Sequence, residues 1–173
     1  MKKIDIKYWK EFRIGHLFSI EKPQPRVQTQ YEDGEIPFVA SGNENNGVQK
    51  YCTPHENESL DKGGCITVSP VGGFAFWQKK DFLGRGGAGS SINILRNPNL
   101  NKNNALFICT LIRIACGKYS YTHMCSASKL AAETIFLPIK KNGSPDWEYM
   151  DMYMAELTEM LKHKIECLKA INT

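Results

Sequence analysis

Seven apolar residues near the end of the chain recur at spacings of three and four: Met150, Met154, Leu157, Leu161, Ile165, Leu168 and Ile171. That period is one stripe of an α-helix. Its start is marked too. A strand-like run ends at Leu137-Pro138-Ile139, and the basic turn Lys140-Lys141-Asn142-Gly143 follows. Ser144 is expected as the N-cap, its oxygen accepting from a free backbone N–H. Pro145 suits the first helical position, where a missing N–H costs nothing. Asp146 and Glu148 put negative charge at the positive end of the helix dipole. The expected helix runs from 144 to 173, roughly 28 residues and about 42 Å at 1.5 Å per residue. Charges occupy much of its remaining surface, as in a two-helix or coiled-coil seam. The stripe either packs back onto the domain before it or docks a partner. Docking is the stronger reading, because the stripe persists to the last residues.

The preceding 143 residues read as short strands and turns. Trp9 to Ile20 is an apolar opening of a short helix or strand pair, broken at Lys22-Pro23-Gln24-Pro25-Arg26 because two prolines disfavour both regular structures. Residues 26–35 read as loop. Strands are expected at Ile36–Ser41, Val48–Tyr51, Cys65–Ser69, Phe74–Trp77, Ser91–Leu95 and Ile135–Leu137, separated by Gly- and Asn-rich turns. Ala105 to Ala115 is apolar on nearly all sides, the pattern of a buried helix, with Gly117 as its stop. The expected architecture is α+β: a small mixed, β-rich body (1–143) with one buried helix, then one long C-terminal helix (144–173).

Charge separates the same two parts. Residues 144–173 hold six acidic side chains and three lysines, a net −3, whereas residues 1–143 hold 19 basic and 12 acidic ones, a net +7. A basic body fits an anionic partner, nucleic acid being the commonest; a merely soluble basic domain fits equally well on charge alone. No apolar run approaches the roughly 18 residues of a membrane span. The opening Met1-Lys2-Lys3-Ile4-Asp5-Ile6-Lys7 lacks the apolar core of a signal peptide, so a cytoplasmic chain is expected. The six cysteines form no C-x-x-C pair. Cys52/His55 and His123/Cys125 have metal-like spacing without a matching second pair. Free thiols and no metal are therefore expected.

No catalytic motif stands out. Gly84 to Gly89 lacks the Lys-Ser/Thr of a phosphate-binding loop and does not open a helix; a glycine-rich hairpin loop is the simpler reading. His16, His55, His123 and His163 are scattered, with no nucleophile signature nearby. No cofactor is expected.

Three features in order resemble the target-recognition domain of type I restriction–modification specificity (S) subunits. They are the Trp9–Ile20 opening, the strand Ile36-Pro37-Phe38-Val39-Ala40-Ser41 followed by Asn45-Asn46-Gly47-Val48, and Lys129-Leu130 leading to Ile135-Phe136-Leu137-Pro138 and Gly143-Ser144-Pro145-Asp146-Trp147-Glu148-Tyr149-Met150. Leu60-Asp61-Lys62-Gly63-Gly64-Cys65-Ile66-Thr67-Val68 resembles a further step of that family. The resemblance spans nearly the whole chain. It implies a non-enzymatic subunit that reads half of a bipartite site in double-stranded DNA and carries methyltransferase (M) and restriction (R) subunits to it. Complete S subunits have two recognition domains and two long helices; with one of each, this chain resembles a half-subunit, which two copies would complete by pairing through residues 147–173.

Under that reading, Lys50, Lys79, Lys80, Arg85, Lys118 and Lys129 suit phosphate or guanine contacts, and Asn43, Asn45, Asn46 and Gln78 suit bidentate pairs with adenine. Tyr51, Tyr119 and Tyr121 interleave with the lysines and suit packing on sugars or bases. Two other readings compete: an adaptor or inhibitor that uses the helix and binds no DNA, and an enzyme holding a nucleotide at Gly84–Gly89.

Overall fold

The computed structural model describes residues 4–171, the Ile171 side chain excepted. The chain opens with strand β1 (Lys10–Arg13), a single helical turn α1 (Ile14–Leu17) and strand β2 (Ser19–Glu21). Strands β3 (Asp33–Val39), β4 (Val48–Cys52), β5 (Cys65–Val68), β6 (Ala75–Gln78), β7 (Leu83–Gly84) and β8 (Asn93–Arg96) follow. Helix α2 (Lys102–Cys116), the short helix α3 (Ala127–Ala132), strand β9 (Thr134–Leu137) and helix α4 (Trp147–Ile171) complete the fold.

The strands form three small sheets. Four antiparallel strands are ordered β2-β8-β5-β6, three are ordered β4-β3-β7 with β7 parallel to β3, and β1 pairs with β9. The four-stranded sheet is the floor of the main core. Ile66, Val68 and Leu95 from it meet Ala105, Ile108, Ile112 and Cys116 of α2. A second cluster, Val39, Cys65, Phe82, Ile92 and Ile94, lies between this sheet and the three-stranded one. The architecture is the expected α+β body with one long terminal helix.

Several local features differ from the sequence reading. Helix α2 is not buried all round: Ile114, counted among its apolar residues, stands 75% exposed. Its start is set by Asn101, whose side chain accepts from Asn104 N while the Asn104 side chain accepts from Asn101 N, a reciprocal cap. Residues 26–35, read as loop, contain a 3-10 turn at Gln28–Gln30 and the first three residues of β3, Asp33–Glu35. Helix α4 begins two residues later than expected. Its N-cap is Asp146, whose carboxylate accepts from Tyr149 N at 3.1 Å and whose carbonyl accepts from Met150 N. Ser144 instead closes the preceding turn, its carbonyl accepting from Lys140 N and its hydroxyl donating to Asn142. Pro145 bridges to Ile139. An ionised carboxylate both caps and complements the helix dipole, which a serine hydroxyl cannot do.

The apolar stripe of α4 divides. Met150 is fully buried in the main core, and Trp147, Tyr153 and Met154 pack against it. Asn103 of α2 donates to Asp151 at 2.9 Å, and the Phe107 and Tyr153 rings meet edge to face. Leu157 lines a cleft with Leu111 of α2. Beyond it, Leu161, Ile165 and Leu168 are 48%, 53% and 61% exposed. The reading of a helix packed back onto its own domain thus holds for the first half of the stripe, and the second half stays open to solvent. Ile171's side chain lies outside the described residues.

Candidate nucleic-acid interface

The four-stranded sheet has two ends, and the expected contact residues fall on both. At one end, the β5–β6 connection (residues 69–74) lies against two other loops: Gly72 N donates to Tyr119 O, and Cys125 N donates to Pro70 O. Ser41, just past β3, donates from its hydroxyl to Ser90 O and ties in the glycine-rich loop. These loops enclose a cleft of about 260 Å³ lined by Ser41, Asn43, Ser69, Val71, Phe74 and Tyr121. Arg113 of α2 lies over the Phe74 ring at 4.7 Å. Asn43 is exposed, and no hydrogen bond occupies its amide among the described residues. Tyr121 is 74% exposed. An open amide beside an open aromatic ring can pair with a base edge and pack on its face.

Arg85 flanks this cleft from the glycine-rich loop, its guanidinium held by the Ser90 hydroxyl and Ala88 O. Lys118 and Lys129 lie close to the Tyr119 ring, next along the chain to the loop that carries Tyr121. Lys129 donates to Met124 O and lies 5.8 Å from the centre of the Tyr119 ring. Lys118 pairs with Glu133 at 2.9 Å, so part of its charge is already neutralised. Tyr119 does not reach the surface. It is buried, stacks on His123, and donates its hydroxyl to Glu133 at 2.6 Å. That hydrogen bond and burial push the Tyr119 pKa up. Burial alone would raise Glu133, but the hydrogen bonds from Tyr119 and Lys118 outweigh it and hold the carboxyl below its usual range.

At the other end, Lys79 and Lys80 are exposed and follow Gln78, the last residue of β6. Gln78 is withdrawn from any interface. It is 4% exposed, and its amide donates to Asn46 O and to the Thr67 hydroxyl, both at 3.0 Å. Asn46 returns a bond to the Gln78 side chain at 3.1 Å and another to Trp77 O. Asn45 donates to Val48 O. Both asparagines hold positive φ, 45° and 56°, the left-handed region that Asn tolerates better than other non-glycine residues. Their amide nitrogens therefore help build the turn before β4, while both residues stay exposed. Lys50 is engaged as well, with Tyr31 O and with Asp33 at 3.0 Å, whereas Tyr51 is exposed.

Residues 6–170 match the sequence profile of the family described as the type I restriction modification DNA specificity domain. The chain belongs to that family. Among curated relatives, a specificity subunit of a type II restriction enzyme from Heyndrickxia coagulans is 29% identical over 153 residues, which cover 86% of this chain and 43% of that protein. Among solved structures, the HsdS subunit from Thermoanaerobacter tengcongensis superposes with a TM-score of 0.59 at 18% identity, over 96% of this chain and 40% of that one. The type I restriction–modification S subunit from M. genitalium gives 0.53 at 13%, over 95% of this chain and 43% of that one. At these identities the structures speak for the fold. The chain spans less than half the length of each of these relatives.

Of the contacts expected in this specificity domain, Gln78 and Tyr119 are buried, and Asn45 and Asn46 are exposed with their amide nitrogens engaged in the turn. The sequence reading also overlooked the 69–74 connection. The signal there was Pro70-Val71-Gly72-Gly73, read only as a turn; Gly72 and Gly73 both carry positive φ. A Cβ on Gly73 would sit 2.5 Å from that of Cys116, so the connection presses directly on the end of α2. Among the described residues no cluster of three or more His, Cys, Asp or Glu could hold a metal ion. The described cysteines are all free thiols, and no described helix is long and apolar enough to cross a membrane.

Proposed function

We propose that the chain is a non-catalytic DNA-reading part of a restriction–modification complex, acting in the cytoplasm, where it meets double-stranded DNA. Residues 1–143 read one half of a bipartite site. The observation that carries this is the cleft of Asn43 and Tyr121: two unengaged recognition side chains on a body of net +7, within a family defined by DNA specificity. Asn43 pairs with a base edge, Tyr121 packs on a base or sugar, and Arg85, Lys118 and Lys129 hold the backbone in register. Lys79, Lys80 and Tyr51 extend the contact along the duplex.

Residues 144–173 serve docking. The exposed Leu161, Ile165 and Leu168 form a seam with the same helix of a second copy, as a coiled coil, and the resulting pair recruits methyltransferase and restriction subunits. A two-fold pair reads a two-fold symmetric site. The test is selection from a randomised duplex library by the purified chain, alone and with a methyltransferase subunit. An enriched motif supports the reading, and a palindromic one supports the pair. No enrichment in either condition refutes DNA reading and leaves an adaptor that acts through its helix.

A further inference from the structure

We propose that Lys22 is a phosphate anchor, and that the cleft beside it seats one backbone phosphate of the DNA whose bases meet Asn43 and Tyr121. The inference rests on the DNA reading above. The cleft, about 390 Å³, is lined by Lys22, Pro70, Gly87, Gly89, Ser91 and Cys125, among others. Lys22 Nζ donates to Ser91 O at 2.9 Å and Ile92 O at 3.3 Å. Two carbonyls therefore fix the ammonium, and its third N–H stays available.

Its charge has no carboxylate partner among the described residues. Among the partly buried cations, Arg26 meets Glu58 and Asp61, Arg96 meets Glu21 and Lys50 meets Asp33, whereas Arg85 and Lys129, like the exposed Lys22, meet no carboxylate among the described residues. An exposed ammonium held in place by two carbonyls and lacking a counter-charge offers an anion a charge-assisted hydrogen bond. Burial holds the Lys22 pKa below its ordinary value, with Cys125 acting the other way. Opposite, Gly87 and Gly89 hold φ of +87° and +80°, and with no Cβ they let a ligand approach the backbone closely.

The position suits a nucleotide chain. Pro70 lines this cleft, and its neighbours Ser69 and Val71 line the one holding Asn43 and Tyr121. The Ser69–Val71 segment is thus a shared wall, with a cation on one side and base-reading groups on the other. A diester seated against Lys22 presents its adjoining base across that wall.

The test titrates fluorescent duplexes of randomised sequence with the wild-type chain, Lys22→Gln and Lys22→Arg over a range of salt. One lost phosphate contact lowers the log–log salt slope by about 0.9, which at 0.1 M salt is a loss of about eight-fold on every sequence. Lys22→Gln is expected to show both and Lys22→Arg neither. A Lys22→Gln chain that matches wild type in affinity and slope overturns the anchor and leaves DNA reading intact. A wild-type chain that binds no duplex at the lowest salt overturns both. Acylation of Lys22 in the wild-type chain, read by peptide mass spectrometry, covers a variant that fails to fold. Duplex is expected to slow that labelling, and equal labelling with and without duplex overturns the anchor.

Discussion

Replacing Arg26 by methionine keeps the apolar stem and removes the charge on which one side of the body is organised. The Arg26 side chain is 2% exposed. Nε donates to Glu58 and Nη1 to Asp61, both at 2.7 Å, Nη1 also to Gly84 O, and Nη2 to Ser59 O. Without it, the Glu58 and Asp61 carboxylates, 12% and 15% exposed, keep only the Tyr31 hydroxyl and the Gly84 and His55 N–H groups as donors. Breaking a buried pair from one side costs about 3–5 kcal/mol, roughly a third of a typical total stability. For a chain of this size that is a fall in melting temperature of about 6–20 °C, measured by circular dichroism at neutral pH. The pH dependence separates isolated charge from lost packing. Burial would raise Glu58, but Arg26 and Tyr31 outweigh it and hold it below its usual range. Its contribution is therefore complete above the unfolded value of about 4.3 and fades as pH falls through the folded one. In the variant, acid instead neutralises the stranded carboxylates. The gap between wild type and variant is expected to narrow toward pH 4. Adding Glu58→Gln and Asp61→Asn is expected to recover much of the loss at neutral pH. A loss under about 1 kcal/mol, or a triple variant no better than the single one, would refute the reasoning.

Three further outcomes are expected. Asn43→Ala and Tyr121→Ala leave the melting temperature unchanged, both side chains being exposed, but Asn43→Ala relaxes one base position by roughly 1–3 kcal/mol in a binding-site selection; an unaltered motif would take Asn43 out of the interface. Asp146→Ala costs about 1 kcal/mol in urea unfolding through loss of the α4 cap, and Ser144→Ala costs less; the reverse order would restore Ser144 as the cap. Leu161→Glu with Ile165→Glu keeps the fold, since both residues face solvent, and abolishes self-association in analytical ultracentrifugation; a pair that survives both charges does not form through this seam.

The elements legible in the sequence were those with a period or a stop. The α4 stripe, the β-branched run at Cys65–Val68 and the apolar run of α2 announced themselves because burial imposes spacing on apolar residues. The elements that stayed hidden had neither. Helix α3 is six residues long, shorter than two turns, and its Ser126 cap is indistinguishable in sequence from the polar stretch around it. The cap of α4 was misplaced because Ser144, Pro145 and Asp146 each carry a helix-start signal; the Ile139–Pro145 bridge decides among them, and it is a tertiary fact. The site was least legible. Whether an Asn or Tyr faces a ligand or its own backbone depends on partners far along the chain: Gln78 for Asn46, Glu133 for Tyr119. Lys22 escaped notice for the same reason, since only the fold brings the Ser91 and Ile92 carbonyls to its ammonium and leaves it without a carboxylate among the described residues.

The divided stripe of α4 bears on how reading and docking are joined. Met150 sits in the same core that holds Ile66 and Val68 of the central sheet, and Tyr153 and Asp151 lock the next turn to α2. The root of α4 therefore has no freedom to swivel without opening the core. From Leu157 to Ile171 the helix continues for about 21 Å at 1.5 Å per residue, and Leu161, Ile165 and Leu168 on it are open. A second copy gripping that stretch grips a lever fixed to the sheet whose loops carry Asn43 and Tyr121. Under the proposed function, the distance and angle between two reading surfaces follow from helix packing alone, with no flexible linker to average them. A rigid arm is what a site of two half-sequences at fixed separation demands, because a wandering arm would bind both halves only after losing the entropy of finding them.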